Sequence, residues 1–177
     1  MIESGSDIPR IMAFMIIRDS RILNREPTNT KKGSGMVTAS ERSLVLSVSA
    51  GTGCYRHIQI SENATLFRLH EAILASFDFY DDHMHSFFMN NSAWDDYAEF
   101  ICPGGDLEHA RGFSDKVKLS KFKLGPGDRF LYIFDFGDDW RFRIRVLRRV
   151  DESTKTPLLL RSKGQISQYS YDEDEEF

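Results

Sequence analysis

The sequence predicts an α+β fold: a largely antiparallel sheet with one principal helix packed on a face. Three stretches carry that expectation. Residues 44–48 and 55–60 are β-branched and alternating around Gly51-Thr-Gly53, as the two strands of a hairpin are. Residues 65–77 place Leu66, Leu69, Ile73, Leu74 and Phe77 on one helical stripe. Residues 130–146 read as a second hairpin, in which an apolar strand, an Asp/Gly turn and a strand alternating apolar residues with arginine follow one another.

The remaining elements follow in order. Residues 8–23 are apolar enough for a short helix, with Ile11, Phe14, Met15 and Arg18 about one turn apart. Residues 24–43 mix Pro, Gly, Ser, Thr and charge without periodicity and read as a linker or mobile arm. Asn63 or Thr65 can cap the main helix. After it, His83-Met-His-Ser-Phe-Phe-Met89 alternates like a strand, and residues 90–111 are irregular. Residues 114–124 fit a short helix as well as a strand. Gly125-Pro-Gly-Asp128 is a turn, and Gly137 offers the positive φ that the hairpin reversal calls for, with Asp138 bonding back to the turn amides. Pro157-Leu-Leu-Leu160 suggests a last edge strand, where proline is tolerated. The expected division is an N-terminal helix and mobile linker over 1–43, a single α+β domain over 44–164, and an acidic tail over 165–177.

Hydrophobic content of 41% suffices for a packed core and excludes a disordered chain. Two cysteines, Cys54 and Cys102, are too few for a disulfide scaffold or a structural zinc site, and point to a reduced, cytoplasmic setting. No apolar run reaches the ~18 residues of a membrane span, and the first residues lack the pattern of a secretory signal. The net charge of −4 is unevenly spread. Residues 111–149 hold eleven Lys/Arg against five Asp/Glu, a local excess of six positive charges, whereas the rest of the chain is acidic.

Two constellations carry candidate chemistry. Arg141, Arg143 and Arg145 alternate with Phe142, Ile144 and Val146, so they share the solvent face of a strand. Arg148 and Arg149 extend the row, and Lys116, Lys118, Lys121 and Lys123 lie shortly before it. Such a stripe suits nucleic-acid phosphates; the plainer alternative is cross-strand pairing with aspartates or the acidic tail. The second constellation is His70, His83 and His85 with Asp135 and Asp138, next to Asp81 and Asp82. Imidazoles and a carboxylate could hold a divalent metal such as zinc, and a metal-dependent hydrolase is the alternative function it would imply. The plainer reading makes these histidines hydrogen-bond partners within the fold, with no cofactor. Asp135-Phe-Gly137 matches a kinase triplet, but the glycine-rich loop and the other kinase residues are missing, so a turn explains it. The aromatic set, including Phe77, Phe79, Trp94, Tyr97 and Trp140, reads mostly as core, with Trp140 closing one end of it.

Four ordered motifs carry a resemblance: Tyr55-Arg-His-Ile58, Ala64-Thr-Leu-Phe-Arg-Leu-His-Glu-Ala-Ile73, Asp82-His-Met-His-Ser-Phe87, and Tyr132-Ile-Phe-Asp-Phe-Gly-Asp-Asp-Trp140 running into Ile144-Arg-Val146. Together they resemble the plasmid pRiA4b ORF-3-like family. The resemblance implies a compact α+β fold carried by mobile genetic elements and bacterial genomes, with no established activity. Two positions depart from the family pattern: Tyr55 stands for a tryptophan and Phe142 for a histidine. The recombinase label sometimes attached to the family finds no nucleophilic serine in an arginine-rich pocket here. The expected function is therefore a non-catalytic binding or accessory module, with nucleic acid or another protein as partner.

Overall fold

The computed structural model describes residues 42–169. The expected N-terminal helix, most of the linker and the acidic run 172–176 lie outside them. The chain forms β1 (Ser43–Ser49), β2 (Tyr55–Ser61), α1 (Leu66–Phe77), β3 (His85–Phe88), β4 (Glu99–Ile101), β5 (Arg129–Phe134), β6 (Trp140–Val150) and β7 (Leu158–Lys163). All seven strands join one sheet in the order β4-β3-β5-β6-β1-β2-β7, every pairing antiparallel.

The helix starts where the sequence allows. Thr65 is its N-cap and its Oγ1 accepts from the Arg68 amide at 3.1 Å, satisfying one of the free first-turn donors. Its apolar stripe lies on the inner face of the sheet, in one cluster with Leu44, Leu46, Val48, Ile58, Ile60, Phe130, Tyr132, Phe134, Phe142, Ile144 and Val146. Arg56 also points inward, almost fully buried, and its Nε donates to the Ser76 carbonyl at 2.7 Å. A cation there suits the negative end of the helix.

A register shift between Val45 and Leu46 places an extra residue, Leu147, in β6. The bulge changes the phase of the alternation. Arg148 is therefore turned to the outer face opposite Val45, while Arg149 stands opposite the buried Leu44 and meets Glu62 at 3.0 Å. Arg149 thus does not extend the outer row, contrary to the expectation from simple alternation.

The turn between β5 and β6 is built differently from its sequence reading. Positive φ falls on Asp135 (53°) and Asp139 (53°), not on Gly137. Asp135 also does the bonding expected of Asp138: its Oδ1 accepts from the amides of Gly137 and Asp138 at 3.0 and 3.3 Å. Aspartate tolerates the left-handed region because its short side chain hydrogen-bonds locally. Two further segments escaped the sequence reading. β4 lies within the stretch taken as irregular, and residues 165–169 pack back on the domain, with Gln168 buried and its Oε1 accepting from the Tyr80 amide at 2.6 Å. No helix among the described residues is long and apolar enough to cross a membrane.

Candidate nucleic-acid interface

The pairing registers assemble the outer face from residues far apart in sequence. Directly paired residues share a face, so the ladders can be read as transverse rows. One row runs Arg129, Arg145, Ser47, His57, Arg161 across β5, β6, β1, β2 and β7. The neighbouring row spans all seven strands as Glu99, Phe88, Leu131, Arg143, Ser49, Tyr55, Lys163. Arg141 stands opposite Ile133, and Arg148 opposite Val45 and its neighbour Gln59.

Seven cations therefore crowd this face: Arg129, Arg141, Arg143, Arg145, Arg148, Arg161 and Lys163, each solvent-exposed. Carboxylates are scarce among them. Arg141 grips Asp139, with Nη2 to Oδ2 at 2.7 Å and Nε to Oδ1 at 2.9 Å. Glu99 is buried at the far edge and accepts from Ser86 Oγ at 2.6 Å. Among the described residues, the other six cations have no carboxylate partner. Arg129 and Arg145 even sit directly opposite one another, a like-charge pairing that costs stability. His57 feels this field. Its pKa is lowered, first by partial burial and then by the charges of Arg161 and Arg148.

Aromatic rings flank the cations. Tyr55 and His57 stack at 5.0 Å between centroids, and the Arg161 guanidinium lies 5.6 Å from the Tyr55 ring. At the other end, Phe88, Leu131 and Ile133 form a small outer cluster covered by Ala93 and Phe136. Trp94 stands edge-on to Phe88 at 5.7 Å and to Phe136 at 5.2 Å, and keeps 47% of its surface exposed. Trp94, Tyr97 and Tyr80 are exposed, so the expectation of a mostly buried aromatic set fails for these three. The lysines of 116–123 belong elsewhere. Lys121 lies over Phe100, an inner-core ring, and the amides of Leu119 and Ser120 bond to Ala64 and Glu62 beside the start of α1.

The histidine constellation is split by the fold. His70 on α1 and His85 on β3 are fully buried and stack face to face, with ring centroids 3.8 Å apart. Each ring has its own partner: His70 Nδ1 lies 2.7 Å from Tyr132 Oη, and His85 Nε2 lies 3.0 Å from Ser114 Oγ. His70 Nε2 approaches Asp81 Oδ1 at 3.2 Å, off-axis for a linear hydrogen bond. Contact with His70 is nonetheless the chief cause holding the Asp81 carboxyl below its usual range. Burial, reinforced by the neighbouring His70, pushes the His85 pKa down to about 3, and burial raises that of Tyr132 well above its usual value.

His83 is not on the strand with His85, because β3 begins only at His85. It sits at the surface, 3.4 Å from Asp135 Oδ2 and 3.7 Å from Asp82 Oδ1. Tyr169 Oη donates to Asp82 Oδ2, and this bond is the main reason the Asp82 carboxyl lies low and the Tyr169 hydroxyl is pushed up to about 12. Asp138 is exposed at the turn. Among the described residues, no three His, Cys, Asp or Glu side chains converge on a point that could hold a metal ion. Cys54 and Cys102 are both buried free thiols.

The outer-face residues beyond β6 were missed because they become neighbours only through pairing. One signal was present: in Tyr55-Arg-His-Ile-Gln-Ile60, inward Ile58 and Ile60 fix Tyr55, His57 and Gln59 as outward.

No match to the chain is found among the curated proteins. Among solved structures, the chain is similar to a protein of unknown function from Methanosarcina mazei Go1. The two are 29% identical, the match covers 69% of this chain and 70% of that one, and the TM-score is 0.54. The family model for plasmid pRiA4b ORF-3-like proteins matches residues 46–170. That match takes in the helix, the whole central hairpin and every strand from β2 to β7, and on it the chain belongs to the plasmid pRiA4b ORF-3-like family.

Proposed function

We propose that this chain is a non-catalytic binding module that engages nucleic acid through the open outer face of its sheet. The observation that carries the reading is the row Arg129, Arg145, Ser47, His57, Arg161, in which like charges stand opposite one another without a carboxylate among the described residues. A protein gains no stability from such an arrangement, whereas a polyanion lying across it releases counterions at each neutralised phosphate. Among the described residues, the carboxylate pairing that would make an ordinary solvated strand is met in this face at Arg141 alone. Strand spacing puts Arg129 and Arg145 on neighbouring strands ~4.8 Å apart, and sets Arg141, Arg143 and Arg145 at about 7 Å steps along β6. The histidine set supports a metal-dependent hydrolase less well, since two of its three members face each other in the core.

Reversing Arg143 and Arg145 to Glu tests the reading directly. Binding of short labelled duplex and single-stranded DNA should fall at least tenfold, with the thermal midpoint nearly unchanged because both side chains are exposed. Equal binding by the reversed protein would remove nucleic acid as the ligand of this face.

A further inference from the structure

We infer that the outer face selects unpaired nucleotides over duplex, with Trp94 and Tyr55 as the surfaces on which bases stack. The inference rests on the proposed nucleic-acid reading and adds a preference to it. The row through Arg143 has aromatic rings on both sides of its arginine: Phe88 with Trp94 upon it, and Tyr55 beneath Arg161. Phe88 and Tyr55 are four strands apart in the sheet order, about 19 Å at ~4.8 Å per strand. Arg143 stands between them, with Arg129 and Arg145 in the neighbouring row.

A duplex presents phosphates and keeps its base faces stacked internally, so it can use the arginines but not the rings. A single strand can use both, its phosphates on the cations and its splayed bases on the aromatic faces. Trp94 has further features that packing does not account for. Its φ is 60°, a region that bulky side chains avoid, and this expensive backbone holds an indole that stays 47% exposed. Sequence tolerance follows, because every base has a π-face.

The test compares oligo(dT) of about 20 nucleotides with a duplex of equal length, in the full chain, at matched salt. Oligo(dT) should bind at least tenfold tighter and quench tryptophan fluorescence. Trp94→Leu keeps apolar bulk on Phe88 and Phe136 but offers no ring. It should weaken oligo(dT) binding about fivefold or more, leave duplex binding unchanged and abolish the quench, while the dependence of affinity on salt stays the same. Tyr55→Leu should act in the same sense from the other side of the row. Equal affinity for the two ligands, or full oligo(dT) affinity in Trp94→Leu, would overturn the preference while leaving the charge-based reading intact. Absence of binding to either ligand would overturn both.

Discussion

On the inner face of β6, Phe142, Ile144 and Val146 are sealed in the core cluster with α1, whereas Arg141, Arg143 and Arg145, one residue away in each case, stand in solvent. The same strand serves both faces because its side chains alternate, so the difference lies in what each face meets. Inward, aromatic and aliphatic groups from α1 and six strands interlock, and even the polar members find partners: His70 bonds Tyr132, His85 bonds Ser114 and Arg56 bonds backbone carbonyls. Outward, positive charges are set against each other with few carboxylates between them. An inner-face residue is held in place by many neighbours. An outer-face arginine contributes little to the fold, which leaves it available for a ligand.

That contrast can be broken most severely at Phe142. It is fully buried and touches Phe77, Phe79 and Tyr132. Phe142→Ala should cost about 3–5 kcal/mol in urea unfolding, the range for a buried aromatic. Trp140→Ala should cost less, because Trp140 is only half-buried and packs chiefly against Phe79.

Acid acts on the inner face through its buried histidine, His85. The folded-state pKa of His85 is about 3, against 6.5 for an unperturbed group. The unfolded chain therefore binds more protons below pH 6.5, and stability falls as the pH drops from about 6.5 towards 3. Unfolding at pH 5 should need about 2 kcal/mol less than at pH 8 on this account. His85→Asn should flatten that part of the profile; an unchanged slope would mean that the imidazole is not kept neutral by its burial.

The smallest stability change is expected outside. Arg145→Gln removes one member of the Arg129–Arg145 opposition. It should shift stability by no more than about 0.5 kcal/mol, and towards greater stability at low salt. A loss comparable with that at Phe142 would show that the arginine face contributes to the fold after all.

Periodicity made much of this fold legible. The stripe of α1, the alternation of β2 and the arginine alternation of β6 each depend on local sequence, and each matches an observed element. What could not be read depended on contacts distant in sequence or on backbone detail. The bulge at Leu147, which turns Arg148 outside and sends Arg149 to Glu62, leaves no mark in the alternation itself. Positive φ at Asp135 rather than Gly137 reflects a choice between two residues that both tolerate turns. β4 is three residues long and draws its stability from pairing with β3. The candidate interface was half visible. Arg141, Arg143, Arg145 and Arg148 could be named from β6 alone, but Arg129, Arg161, Lys163, Tyr55 and Trp94 join them only through strand order and loop packing.

Whether phosphates lie on the arginine face is decided by how affinity depends on salt. Log affinity for an oligonucleotide should fall linearly with log salt concentration, with a slope of several units for a face bearing this many cations. Arg145→Gln should make that slope shallower by about 0.7–0.9, the signature of one lost phosphate contact, with little change in stability. A slope near zero, or one that Arg145→Gln leaves untouched, would contradict the assignment of this face to nucleic acid.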